Sequence, residues 1–215
     1  VTDTLTSLNP LLLNGGEVNK YATGLMFLPL MELDADLNFV PMVADSITTE
    51  DNLNFVVHID EAATWSDGSP ITADDVAYTA LRLASPMVNN TSMMYYVFEG
   101  VGDDGFVEEG AESIEGVQVI DEKTVQFTTK EPMALMTFLN SYARYLLTLP
   151  KHVIETFAED ELTTQAWFNQ PDVISGPFYL TDFDVDHYVS YTANENYWKG
   201  APKIDKLNIR IVDGS

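Results

Sequence analysis

"TWSDGSPITADDVAYTALRLASP", residues 64–86, joins a tight turn to a helix start, and its reading decides the fold. Asp67-Gly68-Ser69-Pro70 has turn composition, because glycine reaches backbone angles that other residues avoid and proline presets its own. Thr72, followed three residues later by Asp75, predicts a capping box in which side chains satisfy the first helical amides. Asp74 and Asp75 also complement the positive end of the helix dipole. Val76, Ala80, Leu83 and Ala84 recur at helical spacing, and Ser85-Pro86 stops the run. Every polar residue here has a structural task, so the stretch reads as a turn feeding a helix.

Outward from that stretch, strands and helices alternate without a simple repeat. Upstream, "LNFVVHI", residues 53–59, has the β-branched and aromatic content of a buried strand. Tyr21 to Leu33 is apolar, with a helical first half and a strand-like second half, and "DADLN", residues 34–38, predicts a hairpin turn. Downstream, "GVQVIDEKTVQFTT", residues 116–129, alternates about an Asp-Glu-Lys turn and predicts a second hairpin. Pro132 to Leu149 predicts a segment that begins as a helix, and Pro150 opens another short one, "PKHVIETF". "SGPFYLTDF" and "YVSYTAN" predict paired strands, and "KLNIRIV" a last one. The fold class expected is mixed α/β.

The 215 residues, 46% of them hydrophobic, suffice for one large or two small cores. With 34 acidic against 10 basic residues, the net charge of -24 repels polyanions, which argues against nucleic acid and anionic membrane as partners. The carboxylates are dispersed and read as a solvated surface. The absence of cysteine excludes disulfides, thiolate metal sites and cysteine nucleophiles. No apolar run approaches the roughly 20 residues that span a bilayer, and no signal peptide is expected at the start.

The chemistry-bearing motifs are few. There is no phosphate loop, nucleophile elbow or zinc-type histidine pair, and His58, His152 and His187 stand apart in sequence. "DFDVDH", from Asp182, has the spacing that opens a calcium loop, but His187 stands where glycine is needed and Ala193 where a bidentate glutamate is needed. A charged hairpin turn is the expectation. No catalytic residue, metal site or cofactor is assigned.

The signature stretch resembles that of the bacterial extracellular solute-binding proteins that serve oligopeptide, dipeptide and nickel ABC importers. Three further matches follow in the family's order: "SLNPLL", "GVQVIDEKTVQFTTKEP", and "SGPFYLTDF" leading into "NENYWKGAPKIDKLNIRIV". Asp60 and Thr64 depart from the pattern, standing where relatives carry arginine and lysine. The resemblance implies a type II periplasmic-binding-protein-like lobe, with residues 1–45 and 175–215 as its partial core and 46–174 as an inserted subdomain. A second, ligand-covering lobe would lie beyond this stretch, making the chain an expected fragment.

The resemblance further implies a monomeric, non-enzymatic receptor that passes a small peptide to a membrane ABC permease, from the periplasm or as a lipid-anchored surface protein. The alternatives are a receptor for a nickel chelate or sugar, and a sensor or adhesin that reuses the fold. By resemblance, Asn14, Gly15 and Gly16 would face the ligand, the glycines allowing close backbone approach. Tyr95 would be a cleft tyrosine, with a buried core role as the plainer reading. Arg144 needs a carboxylate, from ligand or protein. Ser175 and Gly176 are weaker candidates on the cleft floor.

Overall fold

The computed structural model describes residues 5–13 and 17–211. Its larger sheet is built on β4 (Asn54–Ile59), whose alternation buries Phe55, Val57 and Ile59 on one face. β3 (Ala44–Thr48), β4, β6 (Thr124–Thr128) and β5 (Val117–Asp121) lie side by side in that order, every pair antiparallel. Phe55 pairs with Phe127 and Val57 with Val125, so the apolar side chains of the two central strands share one face. The predicted β5–β6 hairpin turns at the Asp-Glu-Lys stretch.

The predicted helix is α2 (Ala73–Leu83), which buries Val76, Ala80 and Leu83 and contacts β5 and β6. Asp75 anchors its start: Oδ2 accepts from the Thr72 N–H at 2.8 Å and the Thr72 hydroxyl at 3.1 Å. Its Oδ1 accepts from the Lys151 N–H at 2.9 Å, tying in α4 (Lys151–Ile154), and the Trp65 indole N–H lies 3.4 Å from Oδ2. Burial pushes the Asp75 carboxyl above its ordinary range in spite of these donors. Trp65 is itself in the core, and Gly68 takes the left-handed φ of +88° that the turn needs. Lys123, also buried, donates to the Asp60 and Ile71 carbonyls and braces this turn from the β5–β6 hairpin.

The smaller sheet is an antiparallel meander of β7 (Phe178–Asp184), β8 (Tyr188–Ala193) and β9 (Lys206–Arg210). The "DFDVDH" stretch forms the charged hairpin between β7 and β8, with Tyr188 donating to Asp182 at 2.7 Å and the His187 ring 3.0 Å from Asp184. Tyr191 reaches back to donate to the Ala22 carbonyl at 2.8 Å, which fastens the sheet to α1 (Glu17–Gly24). A short hairpin, β1 (Met31–Leu33) with β2 (Phe39–Pro41), occurs where "DADLN" predicts a turn.

Residues 25–30 run as a spine between these parts. The Ser175 and Gly176 N–H groups donate to the Met26 carbonyl at 3.1 and 2.8 Å, and the Leu28 N–H donates to Ser175 Oγ at 2.8 Å. On the other side, the Thr148 N–H reaches the Leu28 carbonyl at 3.1 Å and the Leu30 N–H the Ala143 carbonyl at 3.0 Å. A Cβ on Gly176 would stand 2.3 Å from the Leu25 carbonyl oxygen, so only glycine permits this approach.

The segment from Pro132 begins as a helix, as predicted, but α3 (Leu135–Phe138) lasts one turn and then widens over Leu139–Ala143. There the Arg144 N–H reaches back five residues to the Leu139 carbonyl at 3.2 Å, a π-type turn. Phe138 stacks on Phe55 with ring centroids 4.4 Å apart, and Tyr142 meets Phe98 edge-on at 4.9 Å. α3 thus places Phe138 in the core, and the widened turn sets the partly buried Tyr142 against it.

Candidate ligand-binding site

The site grows from two polar anchors in the signature's neighbours. Asn9, in "SLNPLL", accepts from the Leu11 N–H and donates to the Leu162 carbonyl at 2.8 Å. Asn90, buried just past α2, donates to the carbonyls of Leu11 at 2.8 Å and Leu13 at 3.1 Å. The same side chain accepts from the N–H groups of Ser92 and Met93, so it fixes the 91–94 loop beside the segment ending at Leu13. Buried asparagines of this kind cost free energy unless every polar atom is paired, and here both ends are.

That loop and the π-type turn face each other across an open groove of about 460 Å³, lined by Met93, Met94, Tyr96, Tyr142 and Tyr145 with hydroxyls from Thr91, Ser92 and Ser141. None of its lining side chains is a carboxylate, an imidazole or a cation. Burial pushes the Tyr142 hydroxyl up to about 12, so it remains a neutral donor at ordinary pH. Tyr96 also borders a second groove of about 450 Å³ that holds Met133 and the Lys130–Asp103 ion pair.

Behind Tyr145 lies a charged cluster. Glu32 on β1 accepts from both Lys20 on α1 and the Arg144 Nε, the latter at 2.8 Å. Lys20 Nζ and Arg144 Cζ stand 5.2 and 5.6 Å from the Tyr145 ring centre. Burial works against the Glu32 carboxylate, but hydrogen bonds from Lys20, the Leu33 N–H and Arg144 outweigh it and hold its pKa below the ordinary range. The cluster fixes where Tyr145 sits, and with it one wall of the groove.

The sequence-derived candidates fall in three groups. Asn14, Gly15 and Gly16 lie outside the described residues, directly after the Leu13 carbonyl that Asn90 holds. Arg144 has found its carboxylate within the protein, in Glu32. Tyr95 takes the core position that was its plainer reading, fully buried against Phe98 and Tyr142, while its neighbour Tyr96 is 49% exposed on the groove. The Tyr95 hydroxyl is buried without a hydrogen-bond partner, and its pKa is driven far above the ordinary value by burial.

Ser175 and Gly176 are likewise packed into the spine, with Ser175 Oγ already accepting from Leu28 and the Gly176 carbonyl accepting from Asn194 at 3.1 Å. Tyr142, Tyr145, Asn90, Lys20 and Glu32 went unassigned from sequence. "SYARYLL" carried a signal for the first two, since an aromatic run interrupted by one arginine is unusual for a plain core helix. Among the described residues, no group of three or more His, Cys, Asp or Glu side chains is placed to hold a metal ion. Each histidine ring instead meets one aspartate: His58 with Asp45, His152 with Asp67, and His187 with Asp184.

The model of the middle region of the bacterial extracellular solute-binding proteins, family 5, matches residues 38–215. A Brucella ovis protein named for peptide binding in an ABC transporter is 32% identical over 94% of this chain and 34% of its own length. The periplasmic oligopeptide-binding protein OppA of Escherichia coli is 27% identical over 83% of this chain and 32% of its own. Among solved structures, an oligopeptide-binding protein, OppAIV, of Borrelia burgdorferi superposes with a TM-score of 0.82 at 25% identity, covering 100% of this chain and 42% of that one. The chain thus spans about a third of the length of the curated relatives it matches. Carrying the signature turn and helix, the β5–β6 hairpin and the β7–β9 meander within the matched region, this chain belongs to the bacterial extracellular solute-binding proteins of family 5.

Proposed function

We propose that this chain is part of the substrate-binding component of an ABC importer, and that it captures short peptides for a membrane permease. The observation that carries the reading is that relatives named for peptide binding align along 83–94% of the chain. No bond is made or broken in such a role. The protein would act outside the cytoplasmic membrane, in the periplasm or held by a lipid anchor, and as a monomer. Among the described residues no helix is long and apolar enough to cross a membrane.

In this reading residues 1–45 and 175–215 contribute the partial core of one lobe and 46–174 its inserted subdomain. The ligand would lie extended along the first lobe, with Asn14, Gly15 and Gly16 offering main-chain contacts and Tyr96 taking the part first given to Tyr95. Arg144 acts through Glu32 and Tyr145 to shape the groove, while Ser175 and Gly176 hold the spine of residues 25–30. A net main-chain hydrogen bond is worth about 0.5–1.5 kcal/mol, so useful affinity requires several of them and burial by a covering lobe. The test is genetic: deleting the gene should abolish growth on a di- or tripeptide as sole source of a required amino acid, and leave growth on the free amino acid intact. Unimpaired growth on every peptide tried would contradict the proposal.

A further inference from the structure

We infer that the groove beside Tyr96 is a subsite for an uncharged, apolar or aromatic side chain of the ligand, an inference that rests on the peptide-binding role proposed above. Its walls carry two thioethers, three phenol rings and aliphatic hydroxyls, and no formal charge, in a chain whose net charge is -24. A charged ligand side chain entering it would surrender water and meet no counter-charge. Lys20 and Arg144, which approach the Tyr145 ring, are both committed to Glu32. An apolar side chain, by contrast, gains by leaving water and meets polarizable surface on every wall.

The choice of methionine sharpens the inference. Met93 and Met94 are unbranched, with several rotatable bonds, so they adapt to ligand side chains of different shape. The tyrosines opposite are rigid, being set by the aromatic core and by the Glu32 cluster. One adaptable wall against one rigid wall fits a preference for leucine, methionine and phenylalanine as a class, without selection of one of them. The neighbouring groove, which carries the Lys130–Asp103 pair, has a different character and serves as an internal control.

The experiment uses the native-length protein with methyl-labelled methionine, titrated with Ala-Leu-Ala, Ala-Phe-Ala, Ala-Asp-Ala and Ala-Lys-Ala, and separately with indole. The expected result is at least tenfold tighter binding of the Leu and Phe peptides, with the Met93 and Met94 methyl signals shifting on binding. Met93→Asp should erase that tenfold preference, and Met133→Asp in the neighbouring groove should leave it in place. Tripeptides that bind with no preference, or without moving the Met93 and Met94 signals, would overturn the subsite and leave the peptide role standing. Methyl shifts with indole but no binding of any tripeptide would keep the apolar groove and sink the peptide role. Silence of both methyl groups toward indole and toward all peptides, or shifts that track protein concentration as a second copy fills the groove, would overturn the inference.

Discussion

At the residue scale, Glu32 decides the most. It is the shared partner of Lys20, which is only 2% exposed, and of the partly buried Arg144, so replacing it removes the carboxylate from between two cations, one of them buried. Glu32→Gln is expected to destabilise the fold by about 3 kcal/mol, read from the denaturant midpoint, because desolvated charges lose their main compensation. The same chemistry sets part of the response to acid. Glu32 is held below its ordinary 4.5, and hydrogen bonds from Asn54 and Leu53 lower Asp51 from 3.8 to about 2. Groups whose folded pKa is depressed stabilise the fold above their unfolded values, so this stability should be lost as pH falls from about 4.5 toward about 2. Asp75 works in the opposite sense, because its raised pKa makes protonation favourable to the folded state. Stability followed by chemical denaturation across that window should therefore fall toward pH 2, and Asp51→Asn should flatten the lower end of the fall.

At the element scale, local signals were legible wherever one residue acts on its near neighbours. Thr72 and Asp75 specify the start of α2, and the alternation of "LNFVVHI" specifies β4, since cap and pleat are short-range physics. Asp75→Ala is expected to cost about 2 kcal/mol, as it removes the helix cap together with the bond to the Lys151 N–H. β3 escaped the reading because a bulge between Ala44 and Ser46 breaks its alternation. The π-type turn escaped because no local pattern over Leu139–Ala143 distinguishes it from an α-helical turn; Phe138 before it stacks on Phe55, and Tyr142 within it meets Phe98 edge-on. Tyr95 and Tyr96 were indistinguishable in sequence for a similar reason: the inward ring, Tyr95, packs on Tyr142, 47 positions away. Gly176→Ala tests the spine at this scale. With backbone only 2.3 Å from the new methyl, the expected loss is about 3 kcal/mol or failure to fold, seen as a lower melting temperature.

At the scale of the whole molecule, charge dominates. A net charge of -24 on 215 residues places the folded chain under self-repulsion that salt can screen. Raising salt from about 0.01 to about 0.5 M at neutral pH should lift the melting temperature by roughly 3 °C, the equivalent of about 1 kcal/mol. The fold class was legible at this scale, since the interleaving of strands with helices and the order of four motifs run along nearly the full chain. The groove was not, because it joins residues 91–96 to residues 141–145 through packing that no local pattern records. The central claim, that the chain serves peptide capture, is tested most directly by thermal shift of the native-length protein against pools of short peptides, nickel chelates and oligosaccharides. The account predicts a selective rise with a peptide pool, largest for peptides bearing apolar side chains. Stabilisation by a nickel chelate or an oligosaccharide, with no response to any peptide pool, would contradict it.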